Sequence, residues 1–349
     1  MVAKARAFGC RAGRVRGVDE LLHVRLHVAV TRGGYTLSMR AYFLQASDMS
    51  LELREVPQPK PGPDQLLVRV RAAGLNRGEL LKHGLTKPGP AKIGGTEGAG
   101  EVDGTGERVM GRLPSSFAEY ALMDKPDLIP VPANLSWEEA AATPLTFLVV
   151  YDMLVQQGAL KKGEWLLVTG ASSGVGVAAL LAGKALGARV VGTSGSAEKL
   201  AKLSSLGLDV AIQTRSPDFS KKILELTGGN GVNLVVNNVG GSVFAECIRC
   251  LGYEGRLATV GYLDGVMKAE MDIEALHSKR LRLFGVSNKM RNGAQRGVTV
   301  EGFKRDFLPL FASGKLKPVI DKVYDFNDLP AAKERMQADA HLGKIVVRM

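Results

Sequence analysis

Residues 169–176 read TGASSGVG, between the apolar run WLLV (165–168) and the helix-forming stretch AALLAGKALGA (178–188). A strand that enters a glycine-rich turn and leaves as a helix brings free backbone N–H groups and the positive end of the helix dipole to one point. A phosphate is stabilised there. Aligned on G-x-G-x-x-G, the motif positions hold Ala171, Ser173 and Gly176, with Gly170, Ser172, Gly174 and Val175 alongside. Such a motif is weak alone. Its weight comes from its surroundings.

Around it the chain alternates between apolar strands and helical stretches. WLLVT, ARVVGT, DVAIQ, VNLVVNN, GRLATVG and LRLFGVS read as six parallel strands with crossovers, a doubly wound sheet. Upstream, from MRAYFL at Met39 to about residue 130, short strands are divided by Pro/Gly turns such as PQPKPGPDQ and TKPGPAKIGG, which predicts an all-β module. Ser136, with Glu139 three residues on, reads as a capping box. After the sixth strand, VEGFKRDFLPLFASGKL predicts a helix ending at Gly314. A strand, the helix NDLPAAKERMQAD and the strand GKIVVRM follow, and these return to the first module because the parallel sheet is already complete. The expected partition is an extension over 1–38, a substrate domain over 39–160, a nucleotide domain over 161–290 and a return over 291–349.

The bulk composition fits two globular domains. The chain has 349 residues, 45% of them hydrophobic and 23% charged, and no apolar run long enough to span a membrane. The net charge is +11, and residues 1–38 carry Lys4, Arg6, Arg11, Arg14, Arg16, Arg25 and Arg32 against Asp19 and Glu20. The moderate surplus elsewhere suits an anionic cofactor. The extension lacks periodicity and a secretory apolar core, so it reads as poorly ordered, with an organelle-targeting role left open. Three cysteines, Cys10, Cys247 and Cys250, imply no disulfide framework and a reducing, cytoplasmic setting. The CxxC of Cys247 and Cys250 has no companion pair and reads as helix packing rather than a metal site.

The turn and the NNVG of residues 237–240 also suit short-chain dehydrogenases. Those need a tyrosine with a lysine four residues on, to lower the pKa of the general acid. Here Tyr253, Tyr262 and Tyr324 are followed at that spacing by Leu257, Val266 and Asp328. That class is rejected. Taken together, MRAYFL, EVPQPKPGPDQLLVRVRAAGLNRGELL, GTEGAGEV, SSFAEYALM, ALKKGEWLLVTGASSGVG, LVVNNVGG, GRLATVGY and GKIVV resemble a medium-chain dehydrogenase/reductase of the zinc-independent quinone oxidoreductase and enone reductase branch. The resemblance runs from Met39 to Met349.

It implies an α/β chain with a GroES-like β domain, a six-stranded Rossmann domain and a homodimer. The alcohol dehydrogenases of the same superfamily bind catalytic zinc through a Cys and a His where this chain has Asn76 and Thr96, and only His83 lies near. No metal is therefore expected. Without a Lewis acid the implied substrate is an already electrophilic quinone or α,β-unsaturated carbonyl, reduced by hydride from NADPH. The second strand ends with Thr193, Ser194 and Ser196, then Lys199, where NAD-specific sheets place an acid, and Arg215 follows the third strand. Hydroxyls with a cation favour a 2′-phosphate. The usual aromatic before Arg215 is Thr214, and Val149 replaces a threonine that relatives place against the cofactor. Asn238, Gly240 and Gly241 follow the fourth strand, and Gly261 and Tyr262 the fifth, at the expected nicotinamide end. Asn76 and Tyr262 are the expected donors to the substrate oxygen. The competing reading is an NADPH-binding protein of little turnover with a structural or RNA-binding role. No aromatic-interleaved basic patch supports it.

Overall fold

The computed structural model describes residues 28–31, 34–80 and 89–349. Most of the N-terminal extension, Cys10 and His83 lie outside them. The strand expected to open at Met39 spans Gly34–Leu44, and Val28–Thr31 pairs with its start. Its pairing with Leu51–Pro57 runs through Ser38 opposite Pro57, so the ladder continues upstream of Met39.

Six strands form the parallel sheet: Trp165–Thr169, Arg189–Ser194, Val210–Gln213, Val232–Asn237, Leu251–Thr259 and Arg282–Gly285. In space they run third, second, first, fourth, fifth, sixth. Winding reverses between the first and fourth strands, so a crevice opens beyond the carboxyl ends of Trp165–Thr169 and Val232–Asn237. Alternate residues of these strands feed two cores. Leu166, Val168, Leu234 and Val236 pack with the helix Gly174–Ala185, whereas Leu167 and Val235 pack with Phe219, Ile223 and Ile248 on the other face. Helices therefore cover both faces.

Cys247 and Cys250 are buried in the second core, on the helix Phe244–Cys250. Burial pushes the Cys250 thiol up to about 12 and raises that of Cys247 well above its ordinary value. They are packing residues.

A second sheet has seven strands. Gln65–Gly74 pairs with Glu97–Val102, with Tyr120–Asp124 and with the last strand, Lys344–Arg348, which also pairs with Ile320–Asp325. Arg108–Arg112 and Leu128–Pro130 complete it. The chain thus returns from the parallel sheet to lay its final strand beside Gln65–Gly74. Val346 opposes Gly74, and Leu75 N–H donates to the Ile345 carbonyl at 3.0 Å. This return brings Lys344 next to Asn76. The capping box at Ser136 forms as expected, starting the helix Trp137–Ala141. Among the described residues no helix is long and apolar enough to cross a membrane.

Candidate active site

The TGASSGVG turn is closed tightly by its glycines. Gly170 has φ +59°, a left-handed conformation that favours glycine. A Cβ on Gly176 would fall 2.6 Å from the Gly170 carbonyl and 2.7 Å from the Ala171 Cα, so only glycine closes the turn. Ser173 caps the helix Gly174–Ala185 by accepting from Gly176 N–H at 3.1 Å. The N–H groups of Gly174 and Val175 lie in the first turn, where no intrahelical carbonyl reaches them. Ala171 N–H donates to the Thr193 carbonyl at 2.9 Å, which ties the turn to the second strand.

At the end of that strand the hydroxyls are largely engaged in the protein. Ser194 is buried, shares a hydrogen bond with Ser172 at 3.3 Å and accepts from Ser196 N–H at 3.3 Å. Ser196 caps the helix Ala197–Ser205 through Lys199 N–H. Lys199 turns its ammonium to the C-terminal segment, donating to the carbonyls of Asp339 at 2.6 Å and His341 at 2.9 Å. Its pKa is lowered, chiefly by desolvation. Arg215 lies along Gly195, so close that a Cβ there would be 2.5 Å from its Nε. Thr214 is held by Asp218 at 2.8 Å, and Val149 packs against the first core.

Beyond the fourth strand, Asn238 is a clamp. Its side chain donates to the Thr169 carbonyl at 3.0 Å, and its own N–H donates to the Thr169 hydroxyl at 3.2 Å. Gly240, at φ +128°, leaves room for Asp264, which any Cβ would strike, and Gly241 is similarly crowded by Val266 and Lys268. Gly261 fits against the Asn238 carbonyl. Tyr262 follows on a loop whose Leu263, Val266 and Met267 are also exposed, and is itself 48% exposed. No hydrogen bond among the described residues joins it to Asn76.

A polar cluster stands directly across from the helix start. A Cβ on Gly174 would be 3.4 Å from the Gly343 carbonyl and 3.5 Å from Lys344 Cδ. The Lys344 ammonium donates to the Leu75 carbonyl at 3.0 Å, Asn76 Oδ1 at 3.0 Å and Glu97 Oε1 at 2.5 Å. Three donors meet three acceptors, which a buried ammonium requires. Glu97, fully buried, accepts through its other oxygen from Leu145 N–H at 2.7 Å, at the start of the helix Pro144–Tyr151. The Asn76 amide donates to Glu97 at 2.9 Å and to the Thr96 hydroxyl at 3.3 Å. Thr96 in turn donates to Glu79 at 3.1 Å, and Glu79 also accepts from Gly95 N–H. Burial pushes the Glu79 carboxyl up to about 7, against these two hydrogen bonds and with repulsion from Glu97 adding to the rise.

Among the described residues no group of three His, Cys, Asp or Glu side chains could hold a metal. The sequence profile for zinc-binding dehydrogenases matches residues 174–297, downstream of both Asn76 and Thr96. Over its whole length the acryloyl-coenzyme A reductase of Sulfurisphaera tokodaii is similar, at 27% identity across 89% of this chain. The solved quinone oxidoreductase of Thermus thermophilus, described also in complex with NADPH, superposes with a TM-score of 0.75 at 29% identity, covering 89% of this chain and 100% of that one. These likenesses fit the medium-chain dehydrogenase/reductase family. Its likenesses are to quinone oxidoreductases and an acryloyl-coenzyme A reductase, and its antiparallel β domain and six-stranded parallel sheet match the GroES-like plus Rossmann architecture. A phenolphthiocerol/phthiocerol polyketide synthase subunit of Mycobacterium tuberculosis is 33% identical over 85% of this chain, yet the chain spans only 14% of that protein's length.

Glu79, Glu97 and Lys344 escaped the sequence reading, although their segments carried the family resemblance. Glu97 interrupts the small-residue run GTEGAG, and Lys344 opens the apolar strand KIVV. A charge inside a buried strand needs a partner, and that signal was available. The identity of the partner was not, because Lys344 and Glu97 are 247 residues apart.

Proposed function

We propose that this protein is an NADPH-dependent reductase of quinones or α,β-unsaturated carbonyl compounds that works without zinc. One observation carries the reading: the Asn76–Thr96–Glu97–Lys344 cluster of the β domain abuts the N-terminus of the dinucleotide-type helix at Gly174. Substrate-side chemistry and cofactor cradle thereby share one interdomain crevice, where ligand sites commonly form.

The residues fit a dinucleotide. Gly170 and Gly176 let the turn close tightly, and the first turn of Gly174–Ala185 offers a pyrophosphate its N–H groups. Ser194, Ser196, Lys199 and Arg215 line the end of the second strand, with no acid to hold a ribose 2′-hydroxyl, and Lys199 and Arg215 supply charge for a 2′-phosphate. Glu198 lies in the first helical turn, paired with Lys202 at 2.7 Å. When bound, the reduced nicotinamide would supply the hydride.

The protein's part is to orient and to hold charge. Because the Asn76 amide is spent on Glu97 and Thr96, Asn76 positions the rim, and the Thr96 hydroxyl is the group on it able to turn toward a substrate oxygen. Tyr262 would approach from the sheet's carboxyl edge. A developing negative oxygen in such a crevice is stabilised by preorganised donors. Lys344 supports the zinc-free reading, since its ammonium is fixed 3.0 Å from Asn76 Oδ1, where a second cation would be repelled.

The test is steady-state NADPH oxidation by the purified protein against a panel of quinones and enones, with NADH and simple ketones in parallel and metal content measured on the same preparation. Turnover restricted to NADPH and activated acceptors, without stoichiometric zinc, is expected. Ketone reduction, or zinc at one equivalent, would overturn it.

A further inference from the structure

The geometry points to Glu79, acting through the Thr96 hydroxyl, as the reservoir of the proton that completes reduction of the carbonyl substrate. The inference rests on the reductase reading above and adds a route for its proton.

A hydroxyl has one hydrogen to give and two lone pairs to accept with. On Thr96 one lone pair faces the Asn76 amide, which is fixed by its second bond to Glu97. The hydrogen therefore has two destinations. When Glu79 is ionised, Thr96 donates to it, the arrangement seen here at 3.1 Å. When Glu79 is protonated, it donates to Thr96 instead, and the Thr96 hydrogen is released toward the crevice. Asn76 cannot substitute for this, because its amide is an acid too weak to give up a proton.

Glu79 is placed to be protonated at neutral pH. Its carboxyl sits at about 7 because burial outweighs the stabilising bonds from Gly95 and Thr96. Among the described residues, the charged groups that face it are Glu97, which opposes ionisation, and Lys92, which favours it. The Lys344 ammonium is spent on Glu97, Asn76 and the Leu75 carbonyl.

The step balances. When bound, the reduced nicotinamide would supply hydride to form a C–H bond at the β-carbon, and the π electrons of the double bond would move to the carbonyl oxygen. That oxygen takes the Thr96 proton as Thr96 takes the Glu79 proton, giving an enol that tautomerises to the saturated carbonyl. Glu79 is left as carboxylate and is reprotonated from solvent, so one solvent proton is consumed per turnover.

The test compares wild type with Glu79→Gln, Thr96→Val and Thr96→Ser on an enone, as pH profiles of kcat. Wild-type kcat should fall as pH rises through about 7, where the reservoir empties. Glu79→Gln and Thr96→Val should lower kcat about a hundredfold or more, the range of general-acid effects, and abolish that limb. Thr96→Ser should retain it, and NADPH affinity should hold in all three. Independently of turnover, the infrared carbonyl band of a protonated carboxyl in the cofactor-free protein should titrate near neutrality and vanish in Glu79→Gln. Active variants that keep the wild-type limb would overturn the proposal, as would a band absent from wild type. A wild type inactive on every enone would instead overturn the reductase reading on which it rests. If Glu79→Gln does not fold, the Thr96 pair decides.

Discussion

Replacing Lys344 by Met should cost this protein about 4 kcal/mol of stability at neutral pH, and less as the pH falls. The side chain is 6% exposed and Glu97 is fully buried, so the substitution strands a carboxylate in the interior. What is left to Glu97 is the Asn76 amide at 2.9 Å and Leu145 N–H at 2.7 Å, two neutral donors. Breaking a buried pair from one side typically costs about 3–5 kcal/mol. An independent bound agrees. A stranded carboxylate can escape by taking up a proton, at about 1.4 kcal/mol per pH unit above the ~4.3 at which glutamate titrates in water, or about 4 kcal/mol at pH 7. At pH 5 the same route costs only about 1 kcal/mol. Urea unfolding of wild type, Lys344→Met, Glu97→Gln and the double variant at both pH values measures this. The double variant should recover much of the loss, because no charge is then left alone. A loss that is the same at both pH values, or a double variant no better than Lys344→Met, would show that no stranded Glu97 charge sets the cost.

Gly176→Ala should abolish NADPH binding or unfold the turn, because its Cβ meets backbone at 2.6 Å, whereas Gly174→Ala, with nothing nearer than 3.4 Å, should bind within a few-fold of wild type; isothermal titration separates them. Lys199→Ala should weaken NADPH at least about tenfold while sparing NADH, from the loss of one charge-assisted contact, and equal loss for both cofactors would remove Lys199 from the 2′-phosphate site. Burial, with Arg77 and Lys199 beside it, pulls His341 down to about 4. The unfolded chain then takes up the proton first, so stability should fall as pH drops from about 6.5 toward 4, and His341→Asn should flatten that part of the thermal midpoint profile relative to wild type. Cys247 and Cys250 should resist thiol reagents in the native protein and react once it is unfolded, since both thiols are held protonated.

The parts of this molecule legible in its sequence are those that local chemistry determines. Leu166, Leu167 and Val168 are apolar on both sides of the chain because helices cover both faces of their sheet, and a run such as WLLVT states that directly. Ser136 announces a helix start because its cap is satisfied within three residues. The side chains that shape the candidate site obey no such local rule. Asn76 stood out by its position, yet what its amide does depends on Glu97 and Lys344, which the strand pairing of Lys344–Arg348 with Gln65–Gly74 brings to it. Lys199 reads as a free cation in sequence, but the returning C-terminal segment offers it two carbonyls. Tyr262 is placed on the expected loop, and how far it reaches toward the crevice is a matter of loop geometry that its neighbours in sequence do not encode.

The proposed reaction is hydride transfer from NADPH to an activated carbonyl compound. Its most direct measurement is turnover of an enone with NADPH deuterated at the transferring position, followed by magnetic resonance of the product. The expected product carries one deuterium at the β-carbon, solvent hydrogen at the α-carbon and an intact carbonyl. Deuterium on the carbonyl carbon, giving an alcohol, or NADPH oxidised with no deuterium in the product, would contradict it.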